Sequence, residues 1–384
     1  MLTMLTACTS EIDDIAIAVD EVLEQLDCKN ALRKHSVGIL ACYSEFIETG
    51  VVKALCDALP FDVLGCTTMA SGSSRQSETM ILNLSVLTSD EVAFATAISS
   101  PLTVENSFSR MEEAYHAAAG ALPDKPAMII PILPLLNFIT GDSLVEALDS
   151  ISSGLPIFGT LPCDHTTDYS QSFIIHNGEA TKEAMTLLLL SGPISPKFHM
   201  VSIPDEKLQK QNAIITSSEG NMLHRVNDLP LLQYLETIGL CEAANVKTVK
   251  IVPFVVDYKD GTTPVARGIY SFTPEGSAMC GGLMPRNATL SIGSLDYLDV
   301  VNSTKQIVAE ACSSKDASLM LVFSCICRGW ALGTDMLAEL GCVQNAAPLP
   351  YIMFYAGGEV CPVYNAQGDS FNRFHNYTCI ICTI

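Results

Sequence analysis

The sequence predicts an α/β protein of mixed β-sheets covered by helices, built as two related lobes with repeated strand-helix-strand units. Three observations carry that reading. An apolar strand, an amphipathic helix and a second strand closing in a small-residue turn recur three times along the chain. Strands joined through a helix in one sheet run parallel, with a right-handed crossover, so their C-terminal ends share an edge. Between the repeats, short apolar runs separated by polar turns predict antiparallel pairs.

In chain order, a helix is expected over residues 13–26, capped by Ser10 or Asp13. The first unit has a strand over 36–43 (SVGILACY), a helix over 45–59 and a strand over 61–66 that ends in Thr67-Thr68-Met69-Ala70-Ser71-Gly72. Runs 80–87 and 92–98 then flank Thr88-Ser89-Asp90-Glu91 as a hairpin-like pair. The second unit uses 127–133, 142–152 and 156–159, and closes in Thr160-Leu161-Pro162-Cys163-Asp164. Runs 172–175 and 184–190 flank His176-Asn177-Gly178 as a second pair. Residues 193–204, with Pro193, Pro196 and Pro204, read as the connection between lobes, which divides the chain into 1–192 and 193–384. A long helix is expected over 300–312, starting near Asn302-Ser303. The third unit has a strand over 318–325 (SLMLVFSC), a helix over 334–340 and a strand over 351–355 ending in Ala356-Gly357-Gly358-Glu359. Ligand sites of open α/β sheets form at the C-terminal strand ends, where all three units place glycines, hydroxyls, thiols and acids.

Composition narrows the partners. At 384 residues, 48% hydrophobic and 16% charged, with mean hydropathy +0.31, the chain has ample apolar surface for a folded core. Forty-two acidic against 21 basic residues give a charge of -21, which repels nucleic acid and anionic lipid alike. The longest apolar stretch, 127–139, is cut by Pro131 and Pro134 and falls short of the roughly 20 residues a spanning helix needs. Leu5-Thr6-Ala7-Cys8 mimics a lipoprotein cleavage box but lacks a basic flank and an apolar run before it. Fifteen cysteines, an odd number scattered through apolar runs, suit a reducing compartment, and the protein is expected to be cytoplasmic.

The C-terminal residues carry a family resemblance. Phe323-Ser324-Cys325-Ile326-Cys327-Arg328-Gly329, then Phe354-Tyr355-Ala356-Gly357-Gly358-Glu359, then His375-Asn376-Tyr377-Thr378, resemble in order and spacing the FIST domain family of F-box and intracellular signal transduction proteins. Phe254, Asp260-Gly261, Arg267 and Pro274-Glu275-Gly276 are similar to its central hairpins, and Gly65-Cys66-Thr67-Thr68 to its first turn. The chain departs from the family at Gly159-Thr160, where paired glycines are common, and at Met69-Ala70-Ser71, where a glycine is common. Those departures bear on the N-terminal lobe's share of any site. The resemblance implies a freestanding sensory module that binds a small molecule such as an amino acid, with no cofactor and no established catalysis.

Candidate residues follow from chemistry and position. Arg328, at a strand end in an acidic chain, can grip a carboxylate through two parallel hydrogen bonds, or can form an internal ion pair with Glu359. Cys325 and Cys327 alternate along the expected strand and would share a face, whereas Cys379 and Cys382 would face apart; no compact Cys/His cluster nearby completes a metal site. His375-Asn376 beside a cysteine evokes a Cys-His-Asn hydrolase, against a plain polar strand end. Cys66, Thr67, Thr68 and Asp164 line the first two turns, either as ligand contacts or as local backbone partners. Gly357, Gly358, Glu359 and Thr378 complete the C-terminal set. Trp330, the single tryptophan, is expected in the core, and no Walker lysine or dinucleotide spacing supports phosphate binding. The expected function is recognition of an amino acid or other small anionic metabolite and relay to a signalling partner. A thiol-dependent enzyme using Cys327 is the alternative, and a structural or assembly protein is a further one.

Overall fold

The computed structural model describes residues 2–136, 139–166, 168–240, 252–313 and 316–384. All three expected units are present and parallel. His35–Cys42 pairs with Val63–Thr67, Met128–Ile132 with Gly159–Thr160, and Met320–Cys325 with Tyr351–Ala356. Each unit nucleates its own six-stranded sheet, with antiparallel strands added on both sides.

Period-two alternation explains how the three sheets meet. Ile39, Leu188, Leu190, Leu321 and Phe323 face one shared core, while their neighbours Leu40, Leu187, Leu189 and Val322 face outward to helices. In the shared core Phe158, Phe323 and Phe354 stack in sequence, with ring centroids 4.9 and 4.7 Å apart. Each fully buried phenylalanine contributes roughly 1.5–3 kcal/mol. The outer faces are covered by helix pairs: Ile15–Leu26 with Val51–Ala58, Ser107–Ala121 with Gly141–Ser152, and Tyr297–Ala311 with Ala338–Ala346.

Two sheets draw strands from both halves of the chain. Glu359–Tyr364 pairs with Gly159–Thr160, and Tyr351–Ala356 pairs with Ser71–Ser73. A fourth sheet, of short antiparallel strands between Gln209–Glu219 and Thr289–Ile292, packs its own core around Phe254, Leu223 and Leu290.

Local departures from expectation have physical causes. Leu82–Ser89 and Ala93–Ile98 do not pair. Both edges of the first are taken by Thr3–Thr9 and His35–Cys42, and Ser89 Oγ accepts the amides of Glu91 and Val92, turning the chain toward a different sheet. Ile174–His176 instead makes a tight hairpin with Glu179–Thr181, across the Asn177-Gly178 turn. The helix expected over 45–59 is broken by Gly50, whose φ of +87° ends one turn and starts the next. Asp14, not Asp13, caps the first helix through the amides of Ala16 and Ile17. Asp296 and Asp299 form a reciprocal cap, so the later helix starts earlier, at Tyr297. The third crossover splits into Ile326–Ala331 and Ala338–Ala346 rather than one helix over 334–340. Residues 193–204 do not simply connect, because Lys197–Val201 adds a strand beside Cys379–Thr383.

Candidate functional site

The three turns that close the parallel units are hydrogen-bonded to one another in a ring. The Cys163 amide donates to the Thr67 carbonyl at 3.2 Å, and the Gly357 amide to Leu161 at 3.0 Å. Thr68 Oγ1 donates to the Tyr355 carbonyl at 2.8 Å, closing the circuit. At Gly357 the contact is backbone to backbone: a Cβ there would sit 2.6 Å from the Pro162 oxygen. Thr67 Oγ1 accepts the Phe173 amide, and Asp164 gathers Thr166, Gln171 and Ser172 around its two oxygens, so both side chains organise loops. Cys66 points into the shared core, where burial drives its thiol far above the ordinary value.

Arg328 is fully buried, and its ion partner is Glu339, not Glu359. Its Nε donates to Glu339 Oε1 at 2.8 Å, while Nη2 donates to Thr304, Ser303 and the Val300 carbonyl. Burial works against its charge, but Glu339 overcomes that and holds the guanidinium above its usual range. Glu339 is itself saturated by Ser324 and Thr304. The pair lies in the layer between sheet and helices because the strand ends at Cys325 and residue 328 falls on the helix Ile326–Ala331. Only Nη1 lacks a partner among the described residues. Glu359 accepts a 2.6 Å hydrogen bond from Thr378, its other oxygen is unpartnered, and burial first, then the Cys325 thiol, keep its carboxyl well above the carboxylate range.

The same strand end corrects the thiol geometry. Cys325 closes the strand while Cys327 opens the helix, so the two do not alternate on one sheet face. Cys325 is fully buried and Cys327 is partly exposed. Trp330 is not a core residue: it sits 47% exposed at the far end of that helix.

Cys327 lies beside a cluster of three tyrosines that sequence reading did not find. Tyr377, Tyr169 and Tyr270 lie close enough for that thiol to perturb their hydroxyls. Burial first, and Cys327 next, push all three phenols upward. Tyr169 and Tyr270 nevertheless remain partly exposed. Tyr169 and Tyr270 stand with ring centroids 6.5 Å apart and planes at 57°. Asn376, nearly buried, accepts from the Gly268 amide beside them. His375 is buried and its Nε2 is unpartnered; burial and then Arg267 press its pKa down to about 3. No hydrogen bond joins it to either thiol among the described residues. Gly358 backs the ring of turns, its carbonyl accepting from the Leu161 amide.

A second buried ion pair binds the halves together. Arg267 Nη2 donates to Asp142 and to the Tyr258 hydroxyl, both at 2.6 Å, and Nη1 to the Phe374 carbonyl at 3.0 Å. Asp142 also takes the Leu283 amide. No group of three or more His, Cys, Asp or Glu residues is arranged for a metal among the described residues.

Three interlocked turns and a tyrosine cluster around Cys327 are what the fold brings together here. The FIST N domain matches residues 36–229 and the FIST C domain residues 230–362. The chain belongs to the FIST family, whose domains are sensory modules of signal transduction. A comparison with curated proteins gives no match. Among the described residues, no helix is long and apolar enough to cross a membrane.

Proposed function

We propose that the protein is a cytoplasmic small-molecule sensor whose ligand, an amino acid or similar small metabolite, occupies a recess between Tyr169, Tyr270 and Cys327. One observation carries this reading. The three tyrosines come from separate loops and strands and meet around Cys327 on unusual backbone. Tyr169 and Tyr377 adopt φ of 57° and 58°, and Tyr270 is the extra residue of a β-bulge. The other non-glycine residues with positive φ are Asp, Asn, Ser or Lys, types that tolerate turns. Strain of this kind costs on the order of 1–3 kcal/mol per residue and clusters at functional sites.

The carboxylate clamp expected at Arg328 is engaged elsewhere, so Arg328 serves as a positioning residue. It pins the helix Ile326–Ala331, which carries Cys327 at the recess and Trp330 at the surface. Occupancy of the recess would shift that helix and change what a signalling partner meets at its exposed end. A thiol enzyme would need a base beside Cys327, and His375 does not supply one.

The test is a thermal-shift screen of the whole chain against amino acids and small carboxylates, with hits titrated through the fluorescence of Trp330. A ligand at 100 times its Kd stabilises by about 2.7 kcal/mol. The reading predicts at least one hit whose binding falls in Tyr270→Ala. No hit, or hits indifferent to that substitution, would overturn it.

A further inference from the structure

We infer that the free edge of strand Ser370–His375 is a docking site for a partner protein, which adds an extended segment carrying a lysine or arginine. This edge lies apart from the tyrosine cluster and can be tested independently of it. The strand is the outermost of its sheet, paired only to Glu359–Tyr364. Which of its backbone groups face outward follows from alternation. The Gly358 carbonyl accepts the Leu161 amide on the side of Gly159–Thr160, so residues 358, 360 and 362 face that way and 359, 361 and 363 face Ser370–His375. Their partners His375, Arg373 and Phe371 face back, which leaves Ser370, Asn372 and Phe374 pointing away from the sheet. Arg267 agrees with that assignment, because its Nη1 donates to the Phe374 carbonyl from outside the sheet. Pro362, which has no N–H to give, lies opposite Asn372, where the ladder asks for none. The backbone N–H and C=O of Asn372 have no partner among the described residues.

A groove of about 210 Å³ runs along that edge, lined by every residue from 370 to 374. Its other wall is the helix Gly141–Ser152, with Tyr258 and Leu283. A row of unpaired strand groups is a template for another strand, whose backbone bonds give affinity while side chains choose the partner. From Ser370 to Phe374 the row is about 13 Å long, at about 3.3 Å per residue, enough for a segment of about five residues. The groove's acids set the charge of that segment. Asp142, Glu146 and Asp149 stand at i, i+4 and i+7 on one helix face. Asp142 is taken by Arg267 and the Leu283 amide, and Asp149 by the Asn372 side chain, but Glu146 has no partner among the described residues. On the strand side, Arg373 Nη2 is bound to Asp260 and its buried Nε lacks an acceptor, which a carbonyl of the added segment would supply. A lysine or arginine on the segment answers Glu146. A second copy of this chain suits the edge poorly, because pairing two such edges would bring acid to acid in molecules of charge -21 each.

The test uses the full-length protein and blocked, fluorescein-labelled heptapeptides, pooled with Lys, Gln or Glu fixed at the centre and the flanking positions randomised. Binding is read by fluorescence polarisation and amide exchange by NMR. The Lys pool should bind at least about threefold tighter than the Glu pool, the scale of an exposed ion pair. Glu146→Lys, at an exposed side chain, should reverse that order while the folded fraction is unchanged. The tightest Lys peptide is then N-methylated at its odd or at its even amides. One form should lose about fivefold or more, the scale of a peptide hydrogen bond, and the other should keep its affinity, because an added strand pairs through one alternate set. The Asn372 amide should exchange faster than those of Phe371 and Arg373 in the free protein and slow when peptide binds. No peptide binding, a preference for Glu, an order unmoved by Glu146→Lys, or equal behaviour of the two methylated forms would overturn the inference. A dimer of this chain with the Asn372 amide protected would also overturn it, in favour of pairing between copies.

Discussion

Cys327 and Arg328 are neighbours in one short helix, yet their side chains enter regions of opposite character. Arg328 goes into the layer between sheet and helices, where Glu339, Thr304, Ser303 and a carbonyl meet it and the backbone is regular helix and strand. Cys327 goes toward Tyr169, Tyr270 and Tyr377, where the backbone is strained or bulged and the solvent still reaches. The first region satisfies nearly all of its polar groups and so has little left to offer a ligand. The second holds aromatic faces and hydroxyls in place at a cost to the fold, as expected of a site that waits for something. A buried arginine is therefore a poor guide to a binding site until its partners are known.

The sharpest way to break the comparison is at the ion pair. Glu339→Ala should strand the Arg328 charge in a dry layer and cost about 3–5 kcal/mol in urea unfolding, whereas Arg328→Met combined with Glu339→Leu should cost much less. A single substitution costing under about 1 kcal/mol would show that the pair is not structural.

Acid should expose a second buried group. The folded pKa of His375 is pushed down to about 3, below its unfolded value of about 6.5. Between those values the unfolded chain binds a proton that the folded chain refuses, so stability is complete above about pH 6.5 and is lost as pH falls toward 3. The difference between wild type and His375→Gln across that window should reach on the order of 5 kcal/mol. Parallel profiles would contradict the burial of a neutral imidazole.

At Tyr169 the comparison predicts a trade. Tyr169→Asn relieves a left-handed backbone that asparagine accepts, so unfolding stability should stay within about 1 kcal/mol of wild type or rise. Ligand response should nevertheless be lost, as read by Trp330 fluorescence. Destabilisation by several kcal/mol would mean that Tyr169 is a packing residue. Smallest of all, Trp330→Phe should change stability by no more than about 0.5 kcal/mol, because the ring is half exposed.

Much of the scaffold was legible in the sequence, and the reason is periodicity. The three parallel units announce themselves because each strand is apolar on both faces, as in residues 36–43, and their turns end in small residues. The hairpins over 80–98 and 172–190 were misread because adjacency in sequence does not reveal that both edges of Leu82–Ser89 are already taken. Turn residues Thr67, Thr68, Cys163 and Gly357 were found at one edge, and the structure bonds them together. Glu339 escaped notice because a glutamate on an amphipathic helix looks solvent-facing until a partner helix covers it. The tyrosines escaped because their distinguishing mark is backbone conformation, which residue type does not encode. The signal available was an aromatic in a polar turn, in Asp168-Tyr169-Ser170 and Asn376-Tyr377-Thr378.

The central claim, that the recess and not the arginine layer takes the ligand, rests on one direct measurement. A metabolite found by thermal shift should be titrated by calorimetry against wild type, Tyr270→Ala and Arg328→Met, with the folded fraction of each established by circular dichroism. The account predicts that Tyr270→Ala weakens binding at least about tenfold while folded, as loss of one desolvated ring contact implies, and that Arg328→Met lowers stability but leaves the affinity of its folded fraction within about threefold. Affinity lost in folded Arg328→Met and retained in Tyr270→Ala would contradict it.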